Sequence, residues 1–294
     1  MGSNRFLKFF LFTILCLIWG SSFILMKRGL DAFTPAQVAA IRMTVAFLCL
    51  LPFVIGHIRL VPRHKWKYII LAGVLGNGIP AVLFTTAETR VPSSVAGMLN
   101  SLTPVFTLIV GILFYRYRPG LIRTAGIFLG LAGASLIVLH SGQDGIGNQK
   151  IYSFYILLAC ILYSIDTYIL NFNLADLKSI DIAGFALIPV GLVAGCYLFS
   201  TDFTWRLAHT PGAAKSLAAA GLLGALGTAT AQALFNKMLK ISSPLFASSV
   251  TYCIPFVALL WGMLDHEKIS ALHIAGFTIT LAGIALVNRR MEEP

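Results

Sequence analysis

The chain has 294 residues, 57% of them hydrophobic and only 11% charged, and its mean hydropathy is +0.84. A soluble domain keeps about a quarter of its residues charged to stay wetted, so this composition excludes an ordinary soluble enzyme and makes a lipid bilayer the natural solvent. The net charge of +11 comes from 22 Lys and Arg against 11 Asp and Glu. The densest basic stretch, Arg59 to Lys67, is short and lies between apolar segments. The excess therefore reads as an orientation signal facing anionic lipid and not as a nucleic-acid surface.

A spanning helix takes ~20 apolar residues and its loop ~5 to 10, so this length allows about ten spans. In chain order, the apolar runs predict helices near Phe6–Lys27, Pro35–Gly56, Trp66–Ala87, Ser93–Tyr115 and Leu121–His140. Five more are predicted near Tyr152–Asn171, Ile182–Thr201, Ala213–Met238, Pro244–Leu264 and Ala271–Asn288. The first run is followed by Lys27 and Arg28 without a small-residue cleavage pattern, so it is expected to stay as a span. With the N-terminus in the cytoplasm, 14 of the 22 Lys and Arg fall on the inner side and 7 on the outer, with Arg42 alone in mid-span. Both termini are then expected to be cytoplasmic, in a multi-pass protein of the plasma or inner membrane.

Sliding the chain by 151 residues superposes Gly73–Val74–Leu75–Gly76 on Gly224–Ala225–Leu226–Gly227, Leu83–Phe84 on Leu234–Phe235, Ala96 on Ala247, Pro104 on Pro255 and Gly111 on Gly262. After a one-residue gap, Leu131–Ala132–Gly133 falls on Leu281–Ala282–Gly283. Matched Gly and Pro at one offset point to duplication, with units 1–147 and 148–294. Five spans per unit is odd, so the second copy enters the membrane upside down. An inverted pair encloses a site near the mid-plane and opens it to alternate sides, the arrangement of a transporter.

Stripes of small and polar residues mark the faces turned inward. The fourth span carries Ser93, Gly97, Asn100, Pro104, Thr107 and Gly111 on one face, and the ninth carries Pro244, Ser248, Thr251, Pro255, Ala258 and Gly262 with the same rhythm. Such stripes serve close helix packing, cavity lining or both. The third span adds Gly73, Asn77, Ala81 and Thr85, and the eighth Gly224, Thr228, Gln232 and Asn236. Amides cannot face hydrocarbon cheaply, so these point to a wet pocket or to other helices. Pro104 and Pro255 each remove a backbone donor and permit a kink or hinge.

Trp19 and Ser22 in the first span answer to Tyr163 and Asp166 in the sixth. Trp66, Trp205 and Trp261 fall near span ends and suit an interfacial belt, whereas Trp19 lies too deep and reads as a gate, pocket wall or packing residue. Arg42 and Asp166 are the ionisable residues well inside predicted spans. Each is a functional candidate, because an unpaired charge there costs at least ~2.5 kcal/mol. Asp166 suits a proton or an amine, and Arg42 a carboxylate; snorkelling and a fixed structural pair are the alternatives. The predicted cavity set is Trp19, Ser22, Arg42, Asn77, Asn100, Tyr163, Asp166, Gln232, Asn236, Thr251 and Tyr252, with Pro104 and Pro255 as hinges.

No metal or cofactor is expected. Cys16, Cys49, Cys160, Cys196 and Cys253 lie in apolar runs without a C-x-x-C pair. An intramembrane enzyme is a minor alternative, since all six histidines lie in loops or near span ends and no GxSxG or GxxxxGK[ST] occurs. Gly126-x-x-x-Gly130 suits either dimerisation or packing between the fifth and tenth spans.

Several segments carry a family likeness. Trp19–Gly20–Ser21–Ser22–Phe23, Ala39–Ala40–Ile41–Arg42, Leu102–Thr103–Pro104–Val105–Phe106 and Leu131–Ala132–Gly133 resemble the EamA family of the drug/metabolite transporter superfamily. Ile254–Pro255–Phe256, Glu267 and Ala275–Gly276 through Gly283 resemble its second repeat. The resemblance implies ten transmembrane helices as two inverted five-helix repeats around a central cavity lined by spans 3, 4, 8 and 9. It also implies export of small metabolites such as amino acids without ATP hydrolysis; separately from the resemblance, a coupling proton suggested by Asp166 and a monomer or homodimer are the partner expectations. A passive channel-like protein or facilitative carrier for amphiphilic metabolites is the alternative. One departure stands out: Arg116 occupies the place after the fourth span where the family often has an acid, opposite Glu267 in the repeat.

Overall fold

The computed structural model describes residues 2–140, 149–241 and 250–287, and among these the chain is helical without strands. Eight helices are long and apolar enough to cross a membrane: α1 Phe6–Leu30, α2 Pro35–Ile58, α3 Arg63–Ala87, α4 Ser93–Tyr115, α5 Leu121–Leu139, α6 Lys150–Asn173, α7 Ser179–Ser200 and α8 Ala213–Ile241. Two shorter apolar helices follow, α9 Val250–Leu264 and α10 Ala271–Val287. Pro244 and Ser248 of the predicted ninth-span stripe, the proposed unit boundary at 147/148 and Arg289–Arg290 lie outside the described residues. The helix surfaces turned away from the bundle are apolar, with Phe114, Leu121, Val193 and Leu264 more than two-thirds exposed, as lipid contact requires.

Polar contacts at the helix ends fix the direction of each rod. On the face holding the N-terminal residues, here called proximal, Lys65 at the start of α3 pairs with Asp176 after α6, Lys240 at the end of α8 donates to the Leu177 carbonyl, and His57 of α2 meets Asp181 of α7 at 2.8 Å. On the opposite, distal face, Gln37 at the start of α2 donates to Thr201 and Asp202 just past α7. The start of α2 is set by local chemistry. Thr34 accepts from the Gln37 N–H while the Gln37 side chain accepts from Thr34, a capping box ahead of Pro35 that contributes about 1 kcal/mol.

Three features break the regularity of the rods. In α3 the stretch Val74–Gly78 widens into a π turn just ahead of Pro80, whose ring cannot continue the normal ladder. In α8 the stretch Leu223–Thr230 does the same. In α4 the helix is interrupted at Ser101–Leu102, immediately before Thr103–Pro104; the Asn100 carbonyl there accepts from Thr103 Oγ1 at 2.8 Å. Pro255, by contrast, sits inside a continuous α9.

Helices α5 and α10 form the most closely packed pair. A methyl on Gly133 would fall 2.5 Å from the Gly276 carbonyl, and one on Gly283 only 2.3 Å from the Gly130 nitrogen. The Gly126–Gly130 face is thus covered by α10, which is the intramolecular packing of the two sequence alternatives.

Candidate functional site

A cavity of about 150 Å³ lies between α1, α2, α3, α4, α6, α8 and α9, with room for roughly five waters or part of a small solute. Nine of the predicted residues line it: Trp19, Ser22, Arg42, Asn77, Asn100, Tyr163, Asp166, Gln232 and Thr251. Asn236 and Tyr252 do not. The Asn236 amide instead donates to the Ser179 carbonyl at 3.2 Å, and the Tyr252 hydroxyl is buried without a hydrogen-bond partner among the described residues.

The two irregular turns place the floor of the cavity. Gly76, in the α3 π turn, lies against Asp166; a methyl there would come 2.3 Å from the carboxylate. Gly227, in the α8 π turn, lies against Ser22, where a methyl would come 2.8 Å from the hydroxyl. Trp19 donates through its indole N–H to the Gly227 carbonyl at 3.1 Å and leans on Phe235 with centroids 5.2 Å apart. Phe84 bridges Phe23 and Tyr163 at 5.9 and 6.0 Å. The aromatic walls thus come from both halves of the chain, with Phe84 and Phe235 at matched positions.

Arg42 donates from Nε to Thr228 Oγ1 at 2.6 Å and faces the Tyr163 phenol. Asp166 is 6% exposed, and its Oδ1 has no hydrogen-bond partner among the described residues. Arg42 and Asp166 form no ion pair with each other among those residues. The cavity therefore presents a cation and a separate acid with one unpartnered oxygen, among hydroxyls and amides.

The small-residue stripes divide their labour. Gly73 and Gly224 pack against the backbone of α7 and α2, and Gly97 against Ala258 of α9. Thr107 and Gly111 pack on Ser164 and Tyr168 of α6. Asn77, Asn100, Thr228 and Gln232, at the centres of their stripes, face the cavity. Sequence reading missed the apolar and small part of the lining, including Phe23, Met26, Phe84, Gly76 and Phe235. The matched Gly76/Gly227 and Phe84/Phe235 of the repeat were the signal for it.

At the distal end of the bundle a charged latch ties α1, the start of α4 and the segment after α9 together. Lys27 reaches Asp265 at 2.5 Å and Glu267 at 2.7 Å, and Arg28 also pairs with Asp265. Glu267 accepts from the N–H and hydroxyl groups of both Ser93 and Ser94, at 2.6 to 3.1 Å, and so caps the positive end of α4. Burial works against its charge, but Lys27 and the serine donors outweigh it and hold this carboxyl down at about 2.

A bundle of long apolar helices, greasy outside and polar at its centre, defines a multi-pass cell-membrane protein. The profile of the EamA-like transporter family matches residues 7–139 and again 150–289. The chain belongs to that family, and it is a transporter of small molecules, not an enzyme. It is 28% identical to the uncharacterized inner membrane transporter YedA of Escherichia coli (strain K12), over 93% of this chain and 88% of that one. It is 25% identical to the probable terminal-alkyne amino-acid exporter of Streptantibioticus cattleyicolor, over 92% and 90%. A crystal structure with 17% identity superposes at a TM-score of 0.64, covering 97% of this chain and 96% of its own, a likeness of fold.

Proposed function

We propose that the chain is a secondary active transporter that exports small metabolites such as amino acids by alternating access, without ATP hydrolysis. The observation that carries this reading is the cavity itself, lined by residues of both halves of the chain, with the Lys27–Glu267 latch at the distal end of the bundle. The architecture is read as ten spans, α1 to α10, in two inverted five-helix repeats with units 1–147 and 148–294. Paired π turns at Val74–Gly78 and Leu223–Thr230, and the double match of the family profile, support that reading. The proximal face is assigned to the cytoplasm, with both termini there, from the surplus of Lys and Arg on that side.

In this reading Arg42 takes the carboxylate of a solute, Asp166 its amine or a coupling proton, and Trp19, Phe84, Tyr163 and Phe235 its apolar body. Asn77, Asn100, Gln232 and Thr251 orient it through hydrogen bonds. Pro104, at the break in α4, is the stronger hinge candidate; Pro255 lies in an unbroken helix. The name of the Streptantibioticus relative supports an amino-acid solute and outward direction. The transporter acts as a monomer or homodimer.

Counterflow of a radiolabelled amino-acid panel in ATP-free proteoliposomes tests the proposal. Accumulation against an unlabelled internal pool is expected. No uptake from a broad metabolite panel, with no ligand-induced thermal stabilisation, would sink it. A facilitative carrier is the second reading, and uptake indifferent to any ion gradient would select it.

A further inference from the structure

Glu88 follows the last turn of α3, one turn beyond the cavity wall at Phe84, to whose carbonyl its N–H donates at 2.9 Å. It is 8% exposed, and neither carboxylate oxygen has a hydrogen-bond partner among the described residues. Charged groups of three other segments act on it: Lys27 of α1, Arg42 of α2 and Glu267 after α9. Arg90, two residues on, is exposed. Lys27 is engaged by Asp265 and Glu267, and Arg42 by Thr228. An ionised Glu88 would thus be a buried charge without a direct partner, which costs several kcal/mol. A hard metal cation is a poor occupant, since it takes six or more oxygen ligands. Among the described residues no group of three His, Cys, Asp or Glu is placed to hold one.

We propose that Glu88 is a proton-binding site of the transporter, a carboxyl that rests neutral beneath the closed latch and gives its proton to water when the latch opens. The step is a simple acid dissociation. The O–H bond breaks, the proton leaves with entering water, and the carboxylate left behind is stabilised by Lys27, released from Asp265 and Glu267 by the same opening. Burial, reinforced by the negative charge of Glu267 and offset only in part by Lys27 and Arg42, holds this carboxyl well above the ordinary carboxylate range while the latch is shut. The proposal rests on the transporter reading and adds a second acid to it, at the opposite end of the cavity region from Asp166.

Infrared titration of the protein in lipid, with the proton as the probe, tests this directly. The wild type should show the C=O stretch of a protonated carboxylic acid at neutral pH, lost on alkalisation. Glu88→Gln should remove one carboxyl from that titrating band; Asp166→Asn should leave the Glu88 component in place. Glu267→Gln, which removes a negative charge and frees Lys27, should lower the Glu88 midpoint by about one pH unit, a tenfold weaker proton affinity. A titrating band that Glu88→Gln leaves unchanged overturns the proposal, as does a midpoint insensitive to Glu267→Gln. If the glutamine variant does not fold, Glu88→Asp serves: it should shift the band, and a band identical to wild type overturns the proposal. Counterflow separates the two readings. Solute movement without a Glu88 band defeats the proton site alone, and a Glu88 band without solute movement defeats the transporter mechanism alone.

Discussion

Asp166 and Arg42 share one cavity without an ion pair between them, and the proposed function gives them different tasks. Asp166→Asn keeps the shape while removing the charge. It is expected to lower transport of amine-bearing solutes at least tenfold or to abolish its proton dependence, while Arg42→Ala should do the same to carboxylated solutes. Radiolabelled counterflow at two pH values checks both; wild-type kinetics in either variant removes that residue from the site. Gly76→Ala places a methyl against the Asp166 carboxylate and should destabilise the protein by about 1–3 kcal/mol as well as lower transport, read by thermal shift. At this scale the polar lining was legible because amides, hydroxyls and charges are too costly to turn to lipid. Phe23, Phe84 and Phe235 were not, because a phenylalanine is equally at home against lipid, core or solute. Asn236 misled for a related reason: its stripe is shared between cavity and packing, and its amide found a carbonyl on α7 instead.

Helix identity and order were readable from apolar runs, since lipid leaves the backbone little choice but a helix. The π turns were not readable. A single extra residue in the ladder leaves hydropathy unchanged, and only Pro80 in α3 hints at one. Removing one residue from Val74–Gly78 should restore the ordinary ladder and erase the widened turn that sets Gly76 against Asp166. Thermal-shift binding of the best solute is then expected to disappear while folding, followed by size-exclusion chromatography, persists. The latch is the other element-scale device. Its acid Glu267 has a carboxyl held below its unfolded value, so its contribution to closure is full above about pH 4.5 and is lost as pH falls toward about 2. Glu267→Gln should remove that contribution at neutral pH and raise labelling of a cysteine placed at Met26 by an impermeant maleimide; unchanged labelling would mean that the latch does not hold the distal face shut.

For the whole molecule, composition alone excluded an aqueous domain, and the repeat pointed to a central chamber. The contacts on each face put Lys65 and Lys240 at one end of the bundle and Lys27 at the other. Impermeant amine labelling from the cytoplasmic side should modify accessible Lys240; reaction from the opposite side would overturn the assigned topology. Because α10 covers Gly126 of α5, Gly126→Leu should lower the melting temperature of the folded chain whatever its oligomeric state. A change confined to the monomer–dimer ratio would contradict this packing.

The latch also lacks a twin. The repeat sets Asn171 where Lys27 stands, Arg116 where Glu267 stands, and Pro244–Leu245 where Ser93–Ser94 stand. On the proposed two-repeat architecture, the proximal mouth would have to be held by other contacts, such as Lys65 with Asp176 and His57 with Asp181. If the proposed topology holds, the latch would bias an empty carrier toward a state shut at the exterior, and cargo binding would have to offset that bias before each delivery.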